Sequence, residues 1–346
     1  MTRAAVALDI GGSNVRVAVV DAEGRCGRVA RLEAPNFLRG EQLDRARLQE
    51  TLLELVARRV ADAVGESDLE EPVCVGISFP GPVDGDGTVL SAPTLWGAGA
   101  CPFPLGPRLQ SELGTPHVFV MNDITAAAHY YAGETTARRF CVVTVSSGIG
   151  NKVFDRDHPD GVLLAENGYG GEIGHVTVDD SPEAPLCDCG GRGHLGAIAS
   201  GRGLERLVRK RAPRESSLRS RSPLLAAAVR DPSAITNEGH VVPAIRAGDP
   251  FALECLEEAT RPLVQCLATM ALGIGIEQFI FIGGLALSIG EPYLETVRRI
   301  WSERASYHMW DERPDTFFVL GRRDEEPCLR GAGKVALRRL RGDSLS

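Results

Sequence analysis

The stretch Ala5–Val20, AVALDIGGSNVRVAVV, restricts the fold more than any other part of the chain. It starts as an apolar strand, breaks at Asp9-Ile10-Gly11-Gly12-Ser13-Asn14, and resumes as a second strand through Val15, Val17 and Val19. An acidic residue therefore sits at a strand end, beside a turn too tight for most side chains. Gly11 and Gly12 tolerate backbone angles that other residues resist and let a ligand approach the main chain. Backbone N–H groups and the Ser13 hydroxyl can cradle phosphates, and Asp9 can hold a metal ion through water. An ordinary hairpin with a glycine turn would read the same way, so the segment needs support from elsewhere.

That support comes from a repeat of the device. Phe140–Val145 is a buried strand, Ser146-Ser147-Gly148-Ile149-Gly150 is a second Gly-rich turn, and Asn151–Phe154 resumes as a strand. At 346 residues the chain is long for one core, so two lobes are expected, with a nucleotide clamped between two such hairpins. Neither turn reads G-x-G-x-x-G, and no G-x-x-x-x-G-K-[ST] occurs, which excludes a P-loop by pattern.

Strands alternate with helices throughout, giving an α/β class. Leu43, Leu48, Leu52, Leu55, Val56 and Val60 lie near helical spacing. Val73–Phe79 reads as a short buried strand ending in Pro80-Gly81-Pro82, and Asp84-Gly85-Asp86-Gly87 follows as a hairpin signal. Further on, the pattern predicts a helix over 250–272, a strand over 279–282 stopped by Gly283-Gly284, helices over 291–308 and 329–341, and a strand over 316–320 between those two helices.

His117–Met121 is a strand that delivers Asn122-Asp123 at its carboxyl end, where layered α/β proteins place reactive groups. An Asp there can take a proton from a hydroxyl as that oxygen attacks phosphorus; otherwise phosphoryl transfer needs mainly positioning and charge neutralisation. Asp123 also precedes a helical run, and Asp is a favoured helix N-cap. Both uses stand at this point.

The strongest local signal is Glu172-Ile173-Gly174-His175 followed by Cys187-Asp188-Cys189-Gly190-Gly191-Arg192-Gly193-His194. His175, Cys187, Cys189 and His194 supply two imidazoles and two thiolates, a donor set suited to tetrahedral zinc. With no fifth group in evidence, the ion would be structural and would fix the loop carrying Glu172. The other seven of the nine cysteines are scattered and read as small buried hydrophobes. A reducing, cytoplasmic setting fits better than a disulfide scaffold.

Composition closes several other routes. Hydrophobic residues at 43% and charged residues at 24% are ordinary for a globular protein. A net charge of −8 argues against nonspecific nucleic-acid binding. No apolar run is long enough to span a bilayer, and MTRAAVALDIGG passes straight into a strand without a secretory signal. Eight Arg or Lys fall between Arg202 and Arg221; such a tract is expected to be a solvated face.

Seven segments in order, ALDIGGSNVRVAVVD, GISFPGPVDGDGTVLSAPTLWG, VMNDITAAA, VVTVSSGIGNKVF, GYGGEIGHVTV, CDCGGRGH and FIGGLAL, resemble the ROK family of sugar kinases. That family lies in the superfamily of actin, hexokinase and the heat-shock chaperone ATPases. The resemblance implies an actin-like, ribonuclease H-like ATPase fold, with two lobes closing over ATP and a polyol. The small lobe would span 1–121, with a C-terminal helix at about 329–346 packing back on it. The large lobe would span 122–328 and carry the zinc-binding loop.

By resemblance, Asp9, Gly11, Gly12, Ser13 and Asn14 form the first phosphate loop, Gly148 and Gly150 the second, and Gly283 and Gly284 lie near the adenosine, with magnesium accompanying ATP. Asp123 resembles the catalytic base, with Asn122 beside it holding substrate hydroxyls. Glu172 and His175 resemble sugar contacts, His175 using one ring nitrogen for zinc and the other for the sugar. Homodimers or homotetramers are implied as well.

Three positions depart from the family pattern. His194 stands where a third Cys is usual, Gly196 where a sugar-binding Glu is usual, and Thr94 where an Asn is usual. Lost hydroxyl-binding groups shift specificity strongly, which points away from glucose. A ROK subgroup phosphorylates C7-cyclitols, carbocycles with no ring oxygen and no anomeric hydroxyl, for which a Glu on the anomeric side is dispensable. The expectation is therefore a cyclitol kinase, with a hexose or amino-sugar kinase as the alternative. A sugar-sensing DNA-binding regulator is disfavoured by the acidic charge and by a core motif that begins at about residue 5.

Overall fold

The structure is a computed structural model that describes residues 4–37, 44–67, 69, 73–97, 99, 101–163, 170–228, 230–304, 314–322 and 326–345. Leu43, Tyr169 of the GYGGEIGH segment, positions 305–308 of the helix expected over 291–308, and Ser346 lie outside the described residues. Two sheets and the helices around them make a mixed α/β fold, arranged as two compact units. The first unit takes Met1–Arg138, Lys152–Gly170 and Arg323–Ser346, and the second takes Arg139–Asn151 and Gly171–Arg322.

In the first unit, β1 (Ala4–Ile10), β2 (Asn14–Asp21), β3 (Ala30–Glu33), β4 (Val75–Phe79) and β5 (Val118–Asn122) form a sheet in the order β3-β2-β1-β4-β5. β1 pairs antiparallel with β2 and parallel with β4, so it is central, and Ala5–Ile10 are all buried. Its two faces differ in the way period-2 alternation requires. Val6, Leu8 and Ile10 join Val15 and Val17 in the core shared with α1 (Arg45–Gly65), α2 (Pro93–Trp96) and α3 (Leu105–Leu113). Asp44 caps α1 by accepting from the Arg47 amide, and Leu48, Leu52, Val56 and Val60 form its buried stripe.

Ala5 and Ala7 face the other way, toward α14 (Pro327–Arg341). Small residues there let α14 lie close to the sheet and to α4 (Asp123–Tyr131). A methyl group on Gly331 would stand 1.8 Å from the Ala126 carbonyl oxygen, so only glycine allows this approach. Met121, Ala126, Ala332, Val335 and Leu345 close the contact. Because α4 packs on α14, the first unit extends through Arg138, beyond the boundary at 121 expected from sequence.

The second sheet is β6 (Arg139–Val145), β7 (Ile149–Asp155), β8 (Gln278–Ile282) and β9 (Phe318–Leu320), in the order β7-β6-β8-β9, and all of it but β7 from Lys152 onward falls in the second unit. β6 pairs parallel with β8, and β8 parallel with β9. Around them run α5 (Leu195–Ala199), α6 (Gly201–Arg211), α7 (Leu218–Arg221), α8 (Pro223–Ala228), α9 (Val242–Arg246), α10 (Pro250–Ile274), α11 (Gly284–Ile289), α12 (Glu291–Arg304) and α13 (Pro314–Phe317). The strand expected over 316–320 begins only at Phe318, because Pro314 starts a helical turn and Phe317 packs edge-on against Phe279 and Phe318.

Much of the basic tract is paired, as a solvated face would be. Arg209 bonds Glu205, Arg211 bonds Glu258 at 2.6 Å, and Arg221 bonds Glu254 on α10. No described helix is long and apolar enough to cross a membrane.

Candidate active site and metal centre

Strand register fixes Asp9. It is the cross-strand partner of Arg16 on β2 and of Ser78 on β4, and both side chains bond it. Arg16 Nη1 donates to Oδ2 at 2.9 Å, and Ser78 Oγ donates to Oδ1 at 2.8 Å. Asp9 shares the α14 face of β1, and Glu326, just before α14, binds the same Arg16 Nη1 at 2.9 Å. Burial pushes the Asp9 carboxyl above its usual range, while Arg16 and Ser78 oppose the shift. A cation beside Asp9 would favour its charged form.

The turn after Asp9 closes with the Gly11 amide donating to Asn14 O at 2.8 Å. Its carbonyls are held from behind: Asn36 Nδ2 donates to Gly12 O at 2.7 Å, and the Ala34 amide to Ser13 O at 3.0 Å. Ser13 and Asn14 are exposed. Thr94, on α2, packs on this turn; a methyl group on Gly12 would stand 3.1 Å from Thr94 Cβ.

At the end of β5, Asn122 and Asp123 divide their work in a way the sequence leaves open. Asn122 is the N-cap of α4: its Oδ1 accepts from the Ile124 amide at 3.0 Å and from the Thr125 amide at 3.3 Å. Its Nδ2 donates to Gly81 O at 2.9 Å and to Asp123 Oδ1 at 3.0 Å. Asp123 is the first residue of α4, where the positive end of the helix favours a carboxylate, and its Oδ1 also accepts from the Ile124 amide at 2.9 Å. The cap is therefore the neighbour's, and Asp123 stays half-buried beside it. Cys328 on α14 senses both carboxylates: burial chiefly, then the negative charges of Asp9 and Asp123, hold its thiol far above the usual range.

In the second unit, the Ser146 amide donates to Gly148 O at 2.9 Å, closing the turn that leads through Ile149 and Gly150 into β7. Gly283 and Gly284 lie against this turn. Gly283 has φ 95°, and a side chain there would meet Val145 O at 2.7 Å; one on Gly284 would lie 3.5 Å from Ser146 Oγ. Asn151, just past Gly150, is 2% exposed and accepts from the Ile173 amide at 3.4 Å. It thereby ties the hairpin to the segment bearing Glu172.

His175, Cys187, Cys189 and His194 come together, with one donor atom from each within 4.8 Å of the others. Cys187 Sγ is 3.8 Å from His175 Nδ1, and Cys189 Sγ is 3.2 Å from His194 Nδ1. A tetrahedral zinc at ordinary bond lengths needs donors about 3.3–3.8 Å apart, and these two donor pairs lie close to that spacing. His175 turns its other nitrogen, Nε2, toward Glu172 Oε2 at 4.0 Å. The two ring nitrogens thus face different groups. Burial chiefly raises the pKa of Cys187, opposed by the Cys189 backbone amide and reinforced by the Cys189 side chain, and a cation there would favour the thiolate.

Sequence reasoning missed Arg16, Ser78, Glu326, Asn36 and Asn151. The strand period could have found Arg16, which shares a face of β2 with Asn14. No local signal points to Glu326, which joins Asp9 only through the docking of α14.

Residues 5–337 match the ROK family. The chain is 39% identical over 336 residues to a C(7)-cyclitol 7-kinase of Streptomyces hygroscopicus subsp. limoneus, covering 97% of this chain and 94% of the relative. It is 29% identical to a 2-epi-5-epi-valiolone 7-kinase of an Actinoplanes species, covering 95% and 91%. Among solved structures it resembles a ROK family glucokinase from Streptomyces griseus in complex with glucose and AMPPNP, with TM-score 0.74, 27% identity, and coverage of 97% of this chain and 99% of the other. With the family match spanning residues 5–337 and a relative at 39% identity over 97% of this sequence, the chain belongs to the ROK family.

Proposed function

We propose that the protein is an ATP-dependent kinase that transfers the γ-phosphoryl group to a hydroxyl of a C7-cyclitol, at the exocyclic primary carbon. The observation that carries this reading is Asp123, a carboxylate at a strand end whose helix-capping duty is done by Asn122. Asp123 accepts the hydroxyl proton as the acceptor oxygen bonds the γ-phosphorus and the bond to ADP breaks. The turns Asp9–Asn14 and Gly148–Gly150 contact the phosphates through backbone N–H groups, and Gly283 and Gly284 adjoin the adenosine. Magnesium, when bound, would neutralise phosphate charge, with Asp9 holding it through water.

Glu172, the second nitrogen of His175, and Thr94 face acceptor hydroxyls in this reading. Asn122 serves mainly to hold Asp123. His175, Cys187, Cys189 and His194 hold one structural zinc, which fixes the segment carrying Glu172. The cyclitol assignment follows the name of the relative at 39% identity and the absence of a carboxylate at Gly196. A methyl group at Gly196 would lie 3.1 Å from Gly174 O, so a larger side chain has little space there.

The test is direct. Purified protein is assayed with ATP against C7-cyclitols, glucose and N-acetylmannosamine, and the product is located by phosphorus NMR. Faster turnover of a cyclitol at its primary hydroxyl supports the reading; faster turnover of glucose sinks the cyclitol assignment but keeps the kinase.

A further inference from the structure

The hairpin, the Cys/His loop and the start of α6 meet at Arg202, the second residue of that helix. Its Nε donates to Ser147 O at 2.7 Å, and its Nη1 donates to Asp188 Oδ2 in an ion pair. Next to it, the Gly201 amide donates to Ser146 O at 2.7 Å, and Asn237 Nδ2 holds Gly201 O at 2.7 Å. Both carbonyls before Gly148 are thus taken up by the beginning of α6. The same device holds Gly12 O and Ser13 O in the first unit. With the carbonyls drawn into the protein, the turn's N–H dipoles dominate what an anion meets.

Asp188 lies between Cys187 and Cys189, and His194 is the residue just before α5, which leads through Ser200 into α6. The Cys/His loop therefore reaches the hairpin twice, covalently through α5 and non-covalently through Arg202. A guanidinium presents its donors in a rigid fork, so the position of Asp188 sets the donor offered to Ser147.

We propose that Arg202 is a positioning residue that locks the Ser146–Gly150 hairpin to the Cys187–Cys189 loop, so that metal held by His175, Cys187, Cys189 and His194 tightens nucleoside triphosphate binding. This rests on the phosphate-binding reading of that hairpin. The ion pair is half exposed and weak alone, but the bonds are charge-assisted and converge on one turn. An effect of about three- to tenfold on nucleotide affinity follows. Linkage makes the coupling reciprocal, so nucleotide tightens metal binding by the same factor.

The experiment uses the full chain loaded with zinc, and measures binding of a non-hydrolysable ATP analogue by calorimetry, with metal content measured in parallel. Arg202→Met and Asp188→Asn each weaken binding about three- to tenfold, the double variant is no weaker than either, and zinc content stays that of the wild type. Arg202→Lys keeps the charge but not the fork, and behaves as Arg202→Met. Chelation of the wild type produces the same loss and adds nothing in Arg202→Met. Asp188→Asn binding like the wild type overturns the tether, as does chelation weakening both proteins equally. Wild type that fails to bind the analogue overturns both the tether and the phosphate-binding reading.

Discussion

Replacing Asn122 by Ala removes four hydrogen bonds at the β5–α4 junction. Loss of the cap costs about 1 kcal/mol. Loss of the two Nδ2 bonds, to Gly81 O and Asp123 Oδ1, costs about 1 kcal/mol each. The sum of about 3 kcal/mol lowers Tm by roughly 6–12 °C for a unit of this size. Asn122→Ser restores the cap alone and recovers about 1 kcal/mol of the loss. Differential scanning calorimetry reads the stability, and steady-state kinetics read the site. Asp123 loses a partner that orients it, so kcat falls while the acceptor KM hardly moves. An unchanged Tm with a raised acceptor KM would refute this reasoning and give the Asn122 amide to the substrate.

Further outcomes follow from the same geometry. His129 on α4 is 8% exposed, and burial, then Arg338 and Arg339, hold its pKa at about 3 against 6.5 unfolded. A lowered imidazole pKa means that the unfolded chain takes up the proton first. Stability therefore falls as pH drops below about 6.5, by up to about 1.4 kcal/mol per pH unit; His129→Gln should flatten that slope in denaturant titrations across the window. Metal analysis should find about one zinc per chain, and Cys189→Ser should lower retention; a metal-free preparation with full stability and activity would end the structural role. Gly331→Ala drives its methyl toward Ala126 O and should destabilise by at least about 1–3 kcal/mol, measured by urea unfolding. A Tm equal to wild type would mean that α14 does not need this close approach to α4.

What the sequence makes legible here is local. The hairpins at Asp9–Asn14 and Ser146–Gly150 show because glycine and strand patterns sit side by side, and the Cys/His set shows because most of its donors fall in one short loop. The division between Asn122 and Asp123 is hidden because both are good caps, and only the backbone decides which one turns into the helix. Glu326 and Arg202 are hidden for another reason: each acts on a turn from a distant part of the chain, through helix docking that no local period encodes. The packing of α4 on α14 is hidden for the same reason, since it joins segments about 200 residues apart.

The central claim is that Asp123 takes the acceptor's proton, and Asp123→Asn tests it most directly. The change is isosteric and leaves the Asn122 cap in place. The account predicts that transfer of phosphate from ATP to the cyclitol falls by about 10²–10⁴-fold, with Tm and ATP-analogue affinity near wild type. Turnover at the wild-type rate would contradict it.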